Sequence, residues 1–168
     1  MTEQKIIGKG TWIDKLAHEL IEREKQLGRK TDLVRVESGL GASGIPHIGS
    51  LGDAVRAYGV KLALENLGYK SELIAYSDDL DGLRKIPEGL TVDSENIGKR
   101  VSSIPDPVEG CKHNSYGEHM SSLLLDGLDN LGIEYVHKTA HETYKNGLLV
   151  DQIHEILVNS KKIGDKIE

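Results

Sequence analysis

The stretch from residue 33 to residue 76 restricts the fold more than any other part of the chain. An apolar run, Leu33-Val34-Arg35-Val36, leads into the glycine-rich Ser38-Gly39-Leu40-Gly41-Ala42-Ser43-Gly44. A helical pattern follows with Leu51, Val55, Tyr58 and Leu62 on one face, Gly68 stands at its expected end, and Glu72-Leu73-Ile74-Ala75-Tyr76 is a second apolar run. Strand, glycine turn, helix, strand is the βαβ order, which requires parallel strands and a right-handed crossover. The expected fold is therefore α/β, a parallel sheet flanked by helices. In such sheets ligands collect beyond the C-terminal ends of the strands. Residues 39–50 and 77–85 are expected to meet there.

The remaining segments fit the same architecture. Trp12, Ile13, Leu16, Ala17, Leu20 and Ile21 recur at helical spacing, and Thr11 with Asp14 can cap that helix. Periodicity fades over residues 86–107, where three of the four prolines fall, and a long surface crossing is expected. Ser115-Tyr116-Gly117-Glu118 reads as a capping box opening a helix with Met120, Leu123, Leu124, Leu128 and Leu131 inward, and Gly132 ends it. Residues 133–137 form a candidate third strand. Leu148, Leu149, Ile153, Ile156 and Leu157 mark a last helix, and residues 161–168 are a charged tail with no obvious end to the fold.

Composition narrows the function classes. A length of 168 residues suits one domain with a real core. A net charge of -6 supplies no basic footprint for nucleic acid, and six Tyr, one Trp and no Phe make poor stacking platforms. A small-molecule site is favoured. No apolar run approaches the ~20 residues needed to cross a bilayer, and Met1-Thr2-Glu3-Gln4-Lys5 has no apolar signal segment behind it. A cytoplasmic protein with no membrane partner is expected.

The chemistry concentrates in Gly41-Ala42-Ser43-Gly44-Ile45-Pro46-His47-Ile48-Gly49-Ser50. A glycine-rich turn here delivers a histidine to the first turn of a helix, where unpaired N–H groups and the helix dipole favour an anion. Gly44 and Gly49 would let a base and a phosphate chain approach the backbone, and His47 can donate to a phosphate oxygen. The spacing fits neither Gly-x-Gly-x-x-Gly nor the Walker pattern. Asp78, Asp79 and Asp81, at the end of the second strand, suit a cation such as an ammonium group. A solvated turn, a helix cap and a magnesium site are the other readings of this cluster. Arg84 and Lys85 can serve phosphate, tRNA, or an ion pair with the same aspartates.

His47-Ile48-Gly49-Ser50 resembles the His-Ile-Gly-His signature of class I aminoacyl-tRNA synthetases. Residues 39–50 and Tyr76-Ser77-Asp78-Asp79-Leu80-Asp81-Gly82-Leu83-Arg84-Lys85 resemble the class I lysyl-tRNA synthetases of archaea and some bacteria. So do Trp12 with its helix, Ile104-Pro105-Asp106-Pro107, Gly110-Cys111, Ser115-Tyr116-Gly117-Glu118-His119 and Tyr144-Lys145-Asn146-Gly147. The family more often carries asparagine where Ser50 stands. The resemblance implies a Rossmann-type catalytic domain, incomplete here. The chain would be its N-terminal part, with the connective insertion starting after about residue 100. The Lys-Met-Ser-Lys-Ser-like loop and the anticodon-binding domain of that family are absent, so the chain reads as part of a longer enzyme and is expected to be inactive alone.

The implied reaction joins L-lysine to ATP, with Mg2+, giving lysyl-adenylate, and then passes the lysyl group to tRNA(Lys). The resemblance assigns His47, Gly49 and Ser50 to catalysis and Ala42, Ser43, Gly44, His47, Gly49 and Ser50 to ATP. It assigns Gly39, Asp78, Asp79, Asp81, Tyr116 and His119 to the amino acid. The acidic cluster disfavours glutamate as substrate; arginine is excluded only by the resemblance. A nucleotidylyltransferase with a similar histidine motif is the alternative enzyme, and a non-catalytic fragment that binds ATP or lysine is the third reading. Cys111, His113 and His119 invite a zinc reading, but three candidate ligands fall short of the usual four, and no metal site is expected. His18, His137, His141 and His154 read as surface or packing residues, and Arg23, Lys25, Arg29 and Lys30 as a solvated face.

Overall fold

The computed structural model describes residues 8–167; Met1-Thr2-Glu3-Gln4-Lys5 and Glu168 lie outside that span. Strands β1 (Val34–Leu40), β2 (Ser71–Ser77) and β3 (Val136–Thr139) form one open parallel sheet in the order β1, β2, β3. Val34 stands opposite Ser71, Gly39 opposite Tyr76, and Ile74 opposite Val136. Helix α1 (Trp12–Gln26) precedes the sheet. Helix α2 (Ile48–Asn66) carries the chain from β1 to β2, and α3 (Tyr116–Asn130) lies between β2 and β3. Helices α4 (Ala140–Lys145), α5 (Val150–Val158) and α6 (Ser160–Ile167) follow.

Helix α1 starts where its sequence says it should. The Asp14 N–H donates to Thr11 Oγ1 at 3.3 Å, and the Thr11 N–H donates back to Asp14 Oδ2 at 3.0 Å. Ala17 and Ile21 pack on Val60, Ala63 and Leu64 of α2 and on Val34. Trp12, expected inward, is 61% exposed. Because α1 leans on α2, its contact stripe is narrow and leaves out the first residue. Along α2 the expected face is also rotated: Val55 and Leu62 are exposed, whereas Ala54 and Ala57 are buried against Leu73, Leu128 and Ile133. Two alanines let the helix come closer to the sheet than a valine would. Gly68 ends the helix at φ +90°, a backbone region that other residues enter at a cost.

Five expectations are corrected. Strand β1 does not stop before Ser38; it runs through Gly39 to Leu40, in register with Tyr76 and Ser77. Residues 86–107 are not all surface. Short 3-10 turns form at Ser94–Asn96 and Val101–Ser103, and Val101 and Ile104 are fully buried with Leu83, Tyr116 and Met120. Leu123 and Leu131 of the third helical pattern, expected inward, are exposed. The third strand begins at Val136, three residues later than expected, and the apolar residues after Leu148 form two helices with no buried residue. Among the described residues no helix is long and apolar enough to cross a membrane.

The alternation along β1 decides where a site can lie. Val34, Ser38 and Leu40 are buried, whereas Arg35, Glu37 and Gly39 are exposed on the opposite face. Arg35 is spent on Glu72 across the strands, Nε to Oε2 at 2.6 Å. Glu37 and Gly39 thus stand open beside the C-terminal end of β2.

Candidate active site

An open cleft of about 690 Å³ lies beyond the end of β1. Gly41, Ser43, Gly44, Ile45, His47 and Ser50 form one wall, and Lys85, Ile86, Pro87 and Glu88 form the other. Its volume suits a nucleotide-sized ligand. The two segments expected to meet do so, at Ser43 to Ser50 and at Lys85. Among the described residues Lys85 has no carboxylate partner in a salt bridge, which leaves its ammonium for the cleft.

His47 is the N-cap of α2, and its Nδ1 accepts a hydrogen bond from the Gly49 N–H at 3.0 Å. The Ser50 hydroxyl accepts from the His47 N–H at 3.5 Å, completing a reciprocal cap. A neutral imidazole whose Nδ1 accepts must carry its proton on Nε2. Capping through Nδ1 therefore leaves Nε2–H unspent, and does not exclude the phosphate donation expected of His47. Gly49 has a different reason to be glycine from the one expected. A Cβ there would lie 2.8 Å from His47 Cε1 and 2.9 Å from Nδ1, so the imidazole as placed requires the position to be bare.

The three aspartates are split by strand alternation carried one residue past β2. Asp78 continues the pairing, its N–H donating to the Leu40 carbonyl at 3.0 Å, and its carboxylate faces Gly39, with Oδ2 3.5 Å from where a Cβ on that glycine would stand. Burial, then the negative charges of Asp81, Glu37 and Asp79, push the Asp78 carboxyl up from its ordinary value. Asp79 turns the other way. It is buried, and its Oδ1 accepts from the His141 N–H at 2.7 Å, which ties the start of α4 to the sheet. Asp81 is exposed, and its carbonyl accepts from Val101 at 2.9 Å. Of the three, Asp78 is the one whose carboxylate is seen to approach β1, at Gly39, with Asp81 its strongest charged neighbour. Glu37, missed by the sequence reading, sits beside it; being two residues before Gly39 in a strand was the available signal.

Tyr116 and His119 stand elsewhere. Tyr116 is 0% exposed, so it cannot touch an amino acid; its hydroxyl donates to the Ser43 carbonyl at 3.3 Å, behind the cleft wall. His119 belongs to a second cluster, with Asp106, Cys111 and His113, whose ligand atoms all lie within 4.8 Å of one another. Cys111 Sγ is 2.9 Å from His113 Nδ1 and 3.4 Å from His119 Nδ1. Asp106 oxygens are 3.3 Å and 3.2 Å from the same two nitrogens. A tetrahedral ion with bonds of ~2.0–2.3 Å holds its ligands roughly 3.3–3.8 Å apart. Three of the four separations lie at or near that span, while Cys111 and His113, at 2.9 Å, stand at hydrogen-bond distance and would have to part to take an ion. Burial raises the Asp106 carboxyl, but the Val108 N–H, Cys111 and His119 outweigh it and hold the group below its ordinary value, as an anion. The sequence reading counted three ligands because Asp106 lies on the far side of a proline-flanked turn.

Comparison with known proteins shows the family. Residues 10–168 match the family described as tRNA synthetases class I (K). A lysine--tRNA ligase of Cenarchaeum symbiosum is 67% identical over 165 residues, covering 98% of this chain and 31% of the relative. One from Methanocaldococcus jannaschii is 39% identical over 153 residues, 90% of this chain and 28% of the relative. One from Rickettsia bellii is 39% identical over 128 residues, 74% and 24%. The chain thus spans less than a third of the length of these curated relatives.

Proposed function

We propose, for a chain that belongs to the class I tRNA synthetases (K), that its cleft binds ATP and that the open face of β1 beside it binds L-lysine, as part of a lysine--tRNA ligase. The observation that carries the reading is the paired use of His47. Its Nδ1 is held by the Gly49 N–H, which leaves Nε2–H on a cleft whose facing wall supplies Lys85.

The lysine carboxylate attacks the α-phosphorus of ATP. A new oxygen–phosphorus bond forms, the bond to the bridging oxygen breaks, and pyrophosphate leaves; Mg2+, brought in with ATP, would supply charge balance for it. Negative charge builds on the α-phosphate oxygens, and a donor fixed in advance stabilises that charge more than it stabilises bound ATP. His47 and the N-terminus of α2 are such donors. Asp78, pushed up by burial and by its acidic neighbours, is relieved by a cation and not by an anion; a lysine ammonium fits it and a glutamate side chain does not. A hydroxyl of the terminal adenosine of tRNA(Lys) then displaces AMP from the lysyl-adenylate.

The test is lysine-dependent pyrophosphate exchange by the full-length polypeptide. His47→Ala should lower the rate by ~10²–10³, the effect of losing one oxyanion donor, and a loss under about threefold overturns the reading. A nucleotidylyltransferase would give exchange that depends on some other nucleophile, with no response to lysine. A second reading concerns structure: the cluster of Asp106, Cys111, His113 and His119 would hold one zinc ion. With four protein ligands the site is closed, so the ion would cross-link a loop to α3 and take no part in the reaction.

A further inference from the structure

The glycine-rich turn that forms one wall of the cleft is anchored by Ala42, which is fully buried, and by few polar contacts. Among the described residues, one side-chain hydrogen bond reaches residues 41–46 from elsewhere, from Tyr116 Oη to the Ser43 carbonyl at 3.3 Å. Tyr116 itself has no freedom. Its ring is packed among Ala42, Leu83, Val101, Ile104 and Met120, and its N–H donates to the Ile104 carbonyl at 2.8 Å.

A peptide unit is planar and trans, so its C=O and N–H point in opposite directions. Drawing the Ser43 carbonyl inward to Tyr116 therefore turns the Gly44 N–H outward, on the side where Ser43 and Gly44 line the cleft. Glycine makes this arrangement easy to lose. Rotating the 43–44 peptide by about half a turn carries Gly44 toward positive φ, which glycine tolerates. Gly44 is not at positive φ here, and a Cβ on it would meet nothing within 4 Å.

We propose that the Tyr116 hydroxyl is a positioning group for ATP, fixing the Ser43–Gly44 peptide with its N–H toward the phosphates. The proposal rests on the reading of the cleft as a nucleotide site. Burial pushes the Tyr116 phenol up, so it stays protonated and remains a donor throughout the working pH range.

The experiment is a double-mutant cycle in the full-length polypeptide, with ATP affinity read by calorimetric titration and lysine affinity read separately. Tyr116→Phe keeps the packed ring and removes only the hydroxyl. It should weaken ATP about three- to tenfold, the range for one hydrogen bond, and leave lysine within twofold. In a Gly44→Ala background the same change should weaken ATP less than twofold, because alanine already opposes the rotated peptide. The cycle cancels whatever Gly44→Ala does to ATP by itself. A Tyr116→Phe effect under twofold in the Gly44 background overturns the proposal, and so does an equal effect in both backgrounds. If the protein binds ATP but does not activate lysine, the substrate reading fails and the cycle still decides this one. If it binds no ATP, both fall.

Discussion

Gly49→Ala separates what the first turn of α2 does for the fold from what it does for the reaction. The added methyl would stand 2.8 Å from His47 Cε1 and 2.9 Å from Nδ1, inside any allowed contact, so the imidazole must swing away. Its hydrogen bond to the Gly49 N–H goes with it. Loss of an N-cap costs about 1 kcal/mol, within a range of roughly 0.5–2. Alanine in place of glycine in a helix returns up to about 0.8–1.0 kcal/mol, less in the first turn. The two partly cancel, and the net change should lie between about -2 and +0.5 kcal/mol, a Tm shift of no more than about 8 °C for a chain of this size.

The reaction has no such compensation. With the ring displaced, Nε2–H no longer faces the cleft, and pyrophosphate exchange should fall ~10²–10³, about 2.7–4 kcal/mol of transition-state stabilisation. Gly52→Ala is the internal control, in the same helix with nothing within 4 Å of the new Cβ. It should gain up to about 1 kcal/mol of stability and keep full activity. Exchange rate and thermal midpoint, measured on both variants, decide the matter. If Gly49→Ala keeps activity within about threefold, or loses more than about 2 kcal/mol of stability, the account of His47 is wrong.

Asp78→Asn should stabilise the unliganded protein at neutral pH. With its carboxyl raised above the ordinary 3.8, the folded state binds more protons than the unfolded one between the two values. Stability is therefore lost as pH rises above 3.8 through the raised folded-state value, and the penalty is absent below 3.8. Melting curves should show the variant's advantage shrinking on acidification, while titration shows lysine binding weakened at least ~10-fold and ATP unaffected; a variant less stable at pH 7 would contradict this. For the second cluster, elemental analysis should find one zinc per chain, and Cys111→Ser or a strong chelator should remove it and lower the Tm. Protein that takes up no zinc and melts unchanged after chelation would refute the site.

What the sequence disclosed and what it hid follow one physical division. The βαβ order, the caps at Thr11 and Ser115 and the glycine ends of the helices are local codes, written within a few residues of where they act, and they were legible. The extent of β1 was not, because Ser38-Gly39-Leu40 becomes strand only when Ala75, Tyr76 and Ser77 arrive beside it. Ala54 and Ala57 were passed over for Val55 and Leu62 because helical periodicity alone does not say how closely the helix will approach the sheet. The burial of Val101 and Ile104 depends on Tyr116, in a helix that the intervening turn brings back over them.

The site divides the same way, and the division bears on how aspartate clusters should be read. Three carboxylates within four residues look like one reagent. A strand gives successive side chains opposite faces, so neighbours such as Asp78 and Asp79 are the pair least able to act together. One closes a structural bond to α4; the other is left facing Gly39 and Glu37 without a cation. The residue with a partner holds the fold, and the residue without one keeps a raised carboxyl that costs stability until a cation arrives. By that criterion a cation-reading carboxylate is found by its unmet need, which is why Asp78 is the member of the cluster we propose for the lysine ammonium.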